Sequence, residues 1–174
     1  MRPAAGQVLH FSEDPSITTF APHVAATAQQ PEAYVWGLDA VQAPAYWFPR
    51  DCPRVLAWPG PETSAEDSRR LGDERVHAIE YAWLPALQSV RLWAYRFDAG
   101  AFEPFGTPYP HAMVATTTVT PLGPAEPVGD LLALHEAAGI QLRLVANLWA
   151  FMDEVAGSSL RFSGIRLRNA AARK

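Results

Sequence analysis

The chain has 174 residues, 49% of them hydrophobic and 18% charged, a composition that folds and that excludes a disordered polyelectrolyte. A net charge of -4 offers no global attraction to nucleic acid or anionic lipid, and no apolar run approaches the ~20 residues of a membrane-spanning helix. The single cysteine, Cys52, excludes an intrachain disulfide and a cysteine-built zinc site.

Met1 to Gly6 hold no apolar stretch of signal-peptide length, so the expectation is a cytoplasmic protein. Val8 to Phe11 reads as a strand, closed by Ser12-Glu13-Asp14-Pro15, where polar side chains and a proline favour a turn. After a loop with Phe20 and Pro22, Tyr34 to Leu38 is rich in β-formers, and Asp39 caps a short helix running toward Phe48 across Pro44. Arg54 to Trp58 is the next strand. Ser64-Ala65-Glu66-Asp67 then supplies an N-cap and an acidic first turn for an exposed helix that includes Arg69 and Arg70.

Val76 to Ile79 reads as a strand, Glu80 to Leu87 as a short helix around Trp83, and Arg91 to Phe97 as a strand whose more aromatic face holds Trp93, Tyr95 and Phe97. Prolines punctuate the next stretch of chain, at Pro104, Pro108 and Pro110 and again at Pro121, Pro124 and Pro127. Met113 to Thr120 is β-branched and strand-like, and Val128 to Ala138 is a helix that stops at Gly139. Leu144, Leu148, Phe151, Met152 and Val155 recur at helical spacing and predict one helix over Leu142 to Val155, before a last strand from Leu160 to Leu167. Helices scattered among strands without regular βαβ alternation predict an α+β fold, a single domain over 1–174 with mixed, largely antiparallel sheets and short inserted helices.

Neither GxGxxG nor GxxxxGK[ST] occurs, and Ser158 and Ser159 lack the GxSxG elbow of the serine hydrolases. The five histidines, His10, His23, His77, His111 and His135, have no HExxH-type spacing, so no metal is expected. Cys52 stands between Arg50 and Arg54, whose charge lowers the pKa of an exposed thiol; the opposing reading makes it a buried apolar filler. The arginines themselves suit a phosphate or carboxylate. Arg161, Arg166, Arg168, Arg173 and Lys174 concentrate positive charge late in the chain.

The runs His10-Phe11-Ser12-Glu13-Asp14-Pro15, Val35-Trp36 with Asp39, and Phe48-Pro49-Arg50-Asp51-Cys52-Pro53-Arg54-Val55 resemble a bacterial family of domains of unknown function. Pro127-Val128-Gly129-Asp130-Leu131 and Phe162-Ser163-Gly164-Ile165-Arg166-Leu167-Arg168-Asn169 extend that resemblance over nearly the whole chain. The first strands also resemble those of the ADP-ribosyltransferase-like fold, including its small rifampin-modifying members. That resemblance implies NAD as cofactor, with His10 on the nicotinamide ribose beside Phe11 and Ser12, and Trp36 or Tyr34 stacked on the nicotinamide. Tyr46 joins the wall of the site, and Arg50 or Arg54 holds the pyrophosphate. The acid that such enzymes carry on a late strand has no match among the threonines of Met113 to Thr120, so Glu103 or His111 takes its place.

Two other classes fit the same residues. A non-catalytic module binds a small molecule in a pocket walled by Trp36, Tyr46, Trp47, Trp93 and Tyr95. An interaction protein uses the basic strand from Leu160 to Leu167 as an exposed sheet edge, which requires that strand to lie at an edge.

Overall fold

The structure, a computed structural model, describes residues 1–24, 31–72, 74–107 and 109–173. Pro108 of the proline group and Lys174 of the basic group lie outside the described residues. The fold is α+β, and among the described residues the strand pairings are antiparallel with one parallel exception. The chain divides into two compact units, Met1–Trp47 with Arg91–Gly129, and Phe48–Val90 with Asp130–Lys174.

Unit 1 contains two three-stranded sheets. In the first, β5 (Trp93–Asp98) lies between β1 (Gln7–Ser12) and the two-residue β8 (Glu126–Pro127). In the second, β7 (Ala112–Ala115) lies between β2 (Val35–Gly37) and β6 (Glu103–Phe105). A bridge between Leu9 and Leu38, with backbone bonds of 2.9 and 2.8 Å, links β1 to the end of β2. Because side chains alternate along a strand, Val8 of β1 and Tyr95 and Phe97 of β5 share one face, where they meet Phe20, Val35, Phe102, Ala115 and Val119 in a buried core. Gly37 lets this core close tightly, since a Cβ on it meets Phe102 and Val8 side chains at 3.0 to 3.1 Å and these must shift to admit it.

Unit 2 is a four-stranded sheet ordered β10-β3-β4-β9, from β3 (Arg54–Trp58), β4 (Arg75–Glu80), β9 (Ile140–Val145) and β10 (Arg161–Ile165). Strands β4 and β9 run parallel, which demands a long crossover, and 59 residues (81–139) separate them in the chain. Helices α1 (Ala65–Leu71), α2 (Leu84–Ser89), α3 (Leu131–Ala137) and α4 (Leu148–Ala156) belong to this unit. Leu148, Phe151 and Val155 are the buried stripe of α4, set against Val55, Ala57, Val76 and Ala78 of the sheet. The caps are the residues that local chemistry favours. Ser64 accepts from the Asp67 amide at 3.1 Å, and Asp130 accepts from the Leu132 and Ala133 amides.

Several predicted elements change extent. The helix expected over Leu142 to Val155 is two elements, β9 and α4, joined at Asn147, whose side chain caps α4 by accepting from the Trp149 amide at 3.0 Å. Leu142 and Leu144 belong to a period-two strand beside β4, so only the spacing from Leu148 onward is helical. The helix after Asp39 is a 3-10 turn, Ala43–Tyr46, because Pro44 removes a donor amide. The strand over Met113 to Thr120 shortens to Ala112–Ala115. Strand β4 takes Glu80 from the following helix, which is a 3-10 turn, Tyr81–Trp83, leading into α2. Strand β10 lies at the edge of its sheet, as the interaction reading requires.

Candidate functional site

The strand end at His10 is built by register. Residues 7–12 pair with 93–98 so that His10 stands opposite Tyr95, and the ring of Phe20 packs against His10 at 5.0 Å. Tyr95 is buried and ties the adjoining turn down. Its hydroxyl donates to the Asp14 carbonyl at 2.6 Å and accepts from the Ile17 amide at 3.0 Å. Ser12, also buried, accepts from the Asp14 amide at 3.1 Å, so its hydroxyl organises the Ser12-Glu13-Asp14-Pro15 turn. Phe11 is half-buried on the opposite face of β1 from His10.

His10 is half-buried, and its Nδ1 donates to the carbonyl of Trp36 at 2.9 Å. A carbonyl only accepts, so Nδ1 carries the proton and Nε2 is the acceptor nitrogen of the neutral ring. The structure therefore brings the predicted pair His10 and Trp36 together through the backbone of Trp36. The indole lies among other rings, edge-on to Tyr34 at 5.8 Å and to Phe105 at 5.2 Å. Tyr34 and Phe105 are 5.4 Å apart, and His111 extends the group with a ring contact to Phe105 at 5.7 Å. Gly106, at φ 114, makes room for the imidazole of His111, which a Cβ at that position overlaps.

Strand register also places Glu103. Val114 pairs with Trp36 on one side and with Glu103 on the other, so the three residues form one cross-strand row and share a face. Glu103 and His111 are both exposed, on β6 and on the loop after it. Tyr46 ends the Ala43–Tyr46 3-10 turn and is 36% exposed.

Arg50, Arg54 and Cys52 belong to unit 2. Arg50 is exposed, and its carbonyl accepts from Arg166 Nε at 3.3 Å. Arg54 is buried in β3, donates to the Cys52 carbonyl at 2.9 Å, and lays its guanidinium 5.0 Å from the centre of the Phe48 ring. Cys52 is fully buried. Burial pushes its thiol up to about 12, against the opposing pull of Arg54, which leaves it protonated at neutral pH and favours the filler reading over the nucleophile.

A second polar group went unpredicted. His77 on β4 and His135 on α3 are 0% and 1% exposed, and their nitrogens meet at 3.1 Å beside the Phe48 ring. Glu80, buried at the end of β4, accepts from the amides of Leu148 and Ala171 at 3.2 and 3.0 Å. The sequence signal was alternation. Val76, Ala78 and Glu80 point one way along β4, and His77 and Ile79 the other, in a strand buried on both faces. A polar residue in such a strand must find a partner inside.

The family model DUF6886, a family of unknown function, matches residues 9–170 and so runs through both units. The chain belongs to DUF6886. No curated protein and no solved structure matches it. The match to DUF6886 takes in the His10, Trp36, Glu103 and His111 positions of unit 1 and the His77, Glu80 and His135 positions of unit 2. Among the described residues, no helix is long and apolar enough to cross a membrane.

Proposed function

We propose that this DUF6886 chain binds a nucleotide-type small molecule, of the NAD or ADP-ribose class, at the His10 and Trp36 strand ends of unit 1. The reading rests on the 2.9 Å bond from His10 Nδ1 to the Trp36 carbonyl. That bond assigns Nε2 of the imidazole as an acceptor, the role needed to take a hydrogen bond from a ribose hydroxyl. The same residue that orients His10 carries the indole against which a base stacks, with Tyr34 and Phe105 supporting it. Glu103, in the cross-strand row of Trp36, is the acid available to a developing positive charge, so ADP-ribosyl transfer is the activity to test.

Titration of NAD and of ADP-ribose, followed by tryptophan fluorescence, tests the reading. Saturable binding by the wild type, weakened about fivefold or more in His10→Ala, supports it, because one such hydrogen bond is worth roughly 1 kcal/mol or more. Release of free nicotinamide from NAD separates a transferase from a binding protein. A folded wild type that gives no saturable response to either ligand overturns the reading.

The aromatic group supports a second reading, a non-catalytic module for a planar apolar ligand. Tyr34, Trp36, Phe105 and His111 form a continuous chain of ring contacts. In that case Trp36→Ala abolishes binding and His10→Ala leaves it unchanged.

A further inference from the structure

Unit 2 contains a row of hydrogen bonds whose direction is dictated from both ends. At one end His135 Nδ1 lies 2.7 Å from the Leu131 carbonyl, which only accepts, so that nitrogen carries a proton and Nε2 is the acceptor of the neutral ring. His77 Nδ1 lies 3.1 Å from that acceptor and donates to it. His77 Nε2 is then an acceptor in turn, and Arg75 Nε, which only donates, approaches it at 2.9 Å. The row runs Arg75 to His77 to His135 to Leu131, with one proton at each of its three junctions. Two neutral imidazoles fill it completely.

An added proton has no place to go. On His77 Nε2 it faces the Arg75 N–H, and on His135 Nε2 it faces the His77 N–H. The charged groups around His77 add to the penalty. Among the described residues, the charged and titratable groups that act on His77 are Arg75 from its own strand, Arg54 from β3 and His135 from α3. Phe48 closes the site with its ring at 5.6 Å from His77 and 5.0 Å from His135, and the β9 residue in register with His77 is Leu142. Glu80, the buried acid of β4, is held by the Leu148 and Ala171 amides. Both imidazoles titrate below the usual histidine range, chiefly because they are buried; for His77 the charges of His135, Arg75 and Arg54 add to burial, and for His135 burial and the charge of Arg75 outweigh the opposing hydrogen bond to the Leu131 carbonyl.

We propose that the Arg75–His77–His135–Leu131 row is an acid-sensitive latch, which fastens helix α3 to strand β4 while both imidazoles are neutral and releases it when the pair takes up a proton. The histidine ring is the only tie of this kind that changes state in mildly acidic solution. Proton uptake removes an acceptor from the closed row and places two donors face to face between rings that are fully buried.

Amide hydrogen exchange of the whole chain, corrected for intrinsic rates, reads the latch between pH 7.5 and 5. The opening constant of the α3 and β4 amides rises by about tenfold per pH unit once the pH is below that of a free imidazole, for one proton taken up on opening. The β1 and β5 amides of unit 1 rise less. Replacing both partners by apolar residues, His77→Leu with His135→Leu, flattens the α3 profile. A wild-type profile that is flat, a profile unchanged in the double variant, or a rise of equal size in β1 and β5 overturns the proposal. Should the double variant fail to fold, the nitrogen chemical shifts of the wild-type imidazoles decide. At pH 7.5 both rings are expected neutral with the proton on Nδ1, and a cation or an Nε2–H form of either ring refutes the latch.

Discussion

His10 and His77 are both strand histidines with apolar neighbours in the chain, and the protein treats them in opposite ways. His10 is half-buried, and the Trp36 carbonyl fixes its tautomer by accepting from Nδ1. His77 has no exposure, and Arg75 and His135 engage both of its nitrogens. A half-buried imidazole whose tautomer a carbonyl has chosen suits recognition. A fully buried imidazole held through both nitrogens is part of the frame, and its charge state becomes a condition of folding. The unit 1 histidine is therefore the one to test with ligands, and the unit 2 pair the one to test with acid.

The largest effect that separates the two regions is expected at Phe48, whose ring packs on His77, His135 and Arg54. Phe48→Ala should destabilise unit 2 by about 3–5 kcal/mol in urea unfolding, as truncation of a buried aromatic does. Trp36→Ala, at a half-buried ring, should cost clearly less. If the two match, the contrast between frame and recognition surface fails. Next comes His135→Leu alone, which strands the His77 N–H in the core and should cost about 1–3 kcal/mol.

The wild-type pH profile sharpens the same point. Both imidazoles titrate lower folded than unfolded, so the unfolded chain binds more protons. Their contribution is fully present above about pH 6.5, the unfolded value, and is lost as the pH falls toward the folded values. Urea midpoints should drop across that window in the wild type, and the drop should disappear when both histidines are replaced by leucine. Tyr95→Phe removes the hydroxyl that joins Asp14 and Ile17 and should cost about 1 kcal/mol. The smallest effect is expected at the partly exposed pair of Arg96 and Glu126, 2.7 Å apart, where Glu126→Gln should cost less than about 1 kcal/mol in thermal unfolding.

Much of the first half of the chain was readable without coordinates. Val8 to Phe11, Tyr34 to Leu38, Arg54 to Trp58 and the capped helix after Ser64 lie within a few residues of where alternation, β-branching and capping put them. The Leu142 to Val155 segment was not, because leucines at positions 144 and 148 fit a helical stripe whether or not a strand intervenes. Asn147 carried the missing signal as a cap. His10 and Trp36 were linked in advance by their strand ends, whereas the bond between them runs through a backbone atom that side-chain patterns do not represent.

The sequence by itself determined the local elements and the class of fold, since those arise from periodicity, caps and prolines acting over a few residues. It also determined that a lone cysteine forms no disulfide within the chain. Only the tertiary structure decided which polar residues meet. His77 and His135 are 58 positions apart and share a hydrogen bond. Glu103 enters the row of Trp36 through a strand between them. Cys52 is a buried thiol despite two flanking arginines. Each outcome depends on register and burial, which are set when sheets assemble from distant segments, and a polar group's ionisation and partner are fixed only once its surroundings have closed around it.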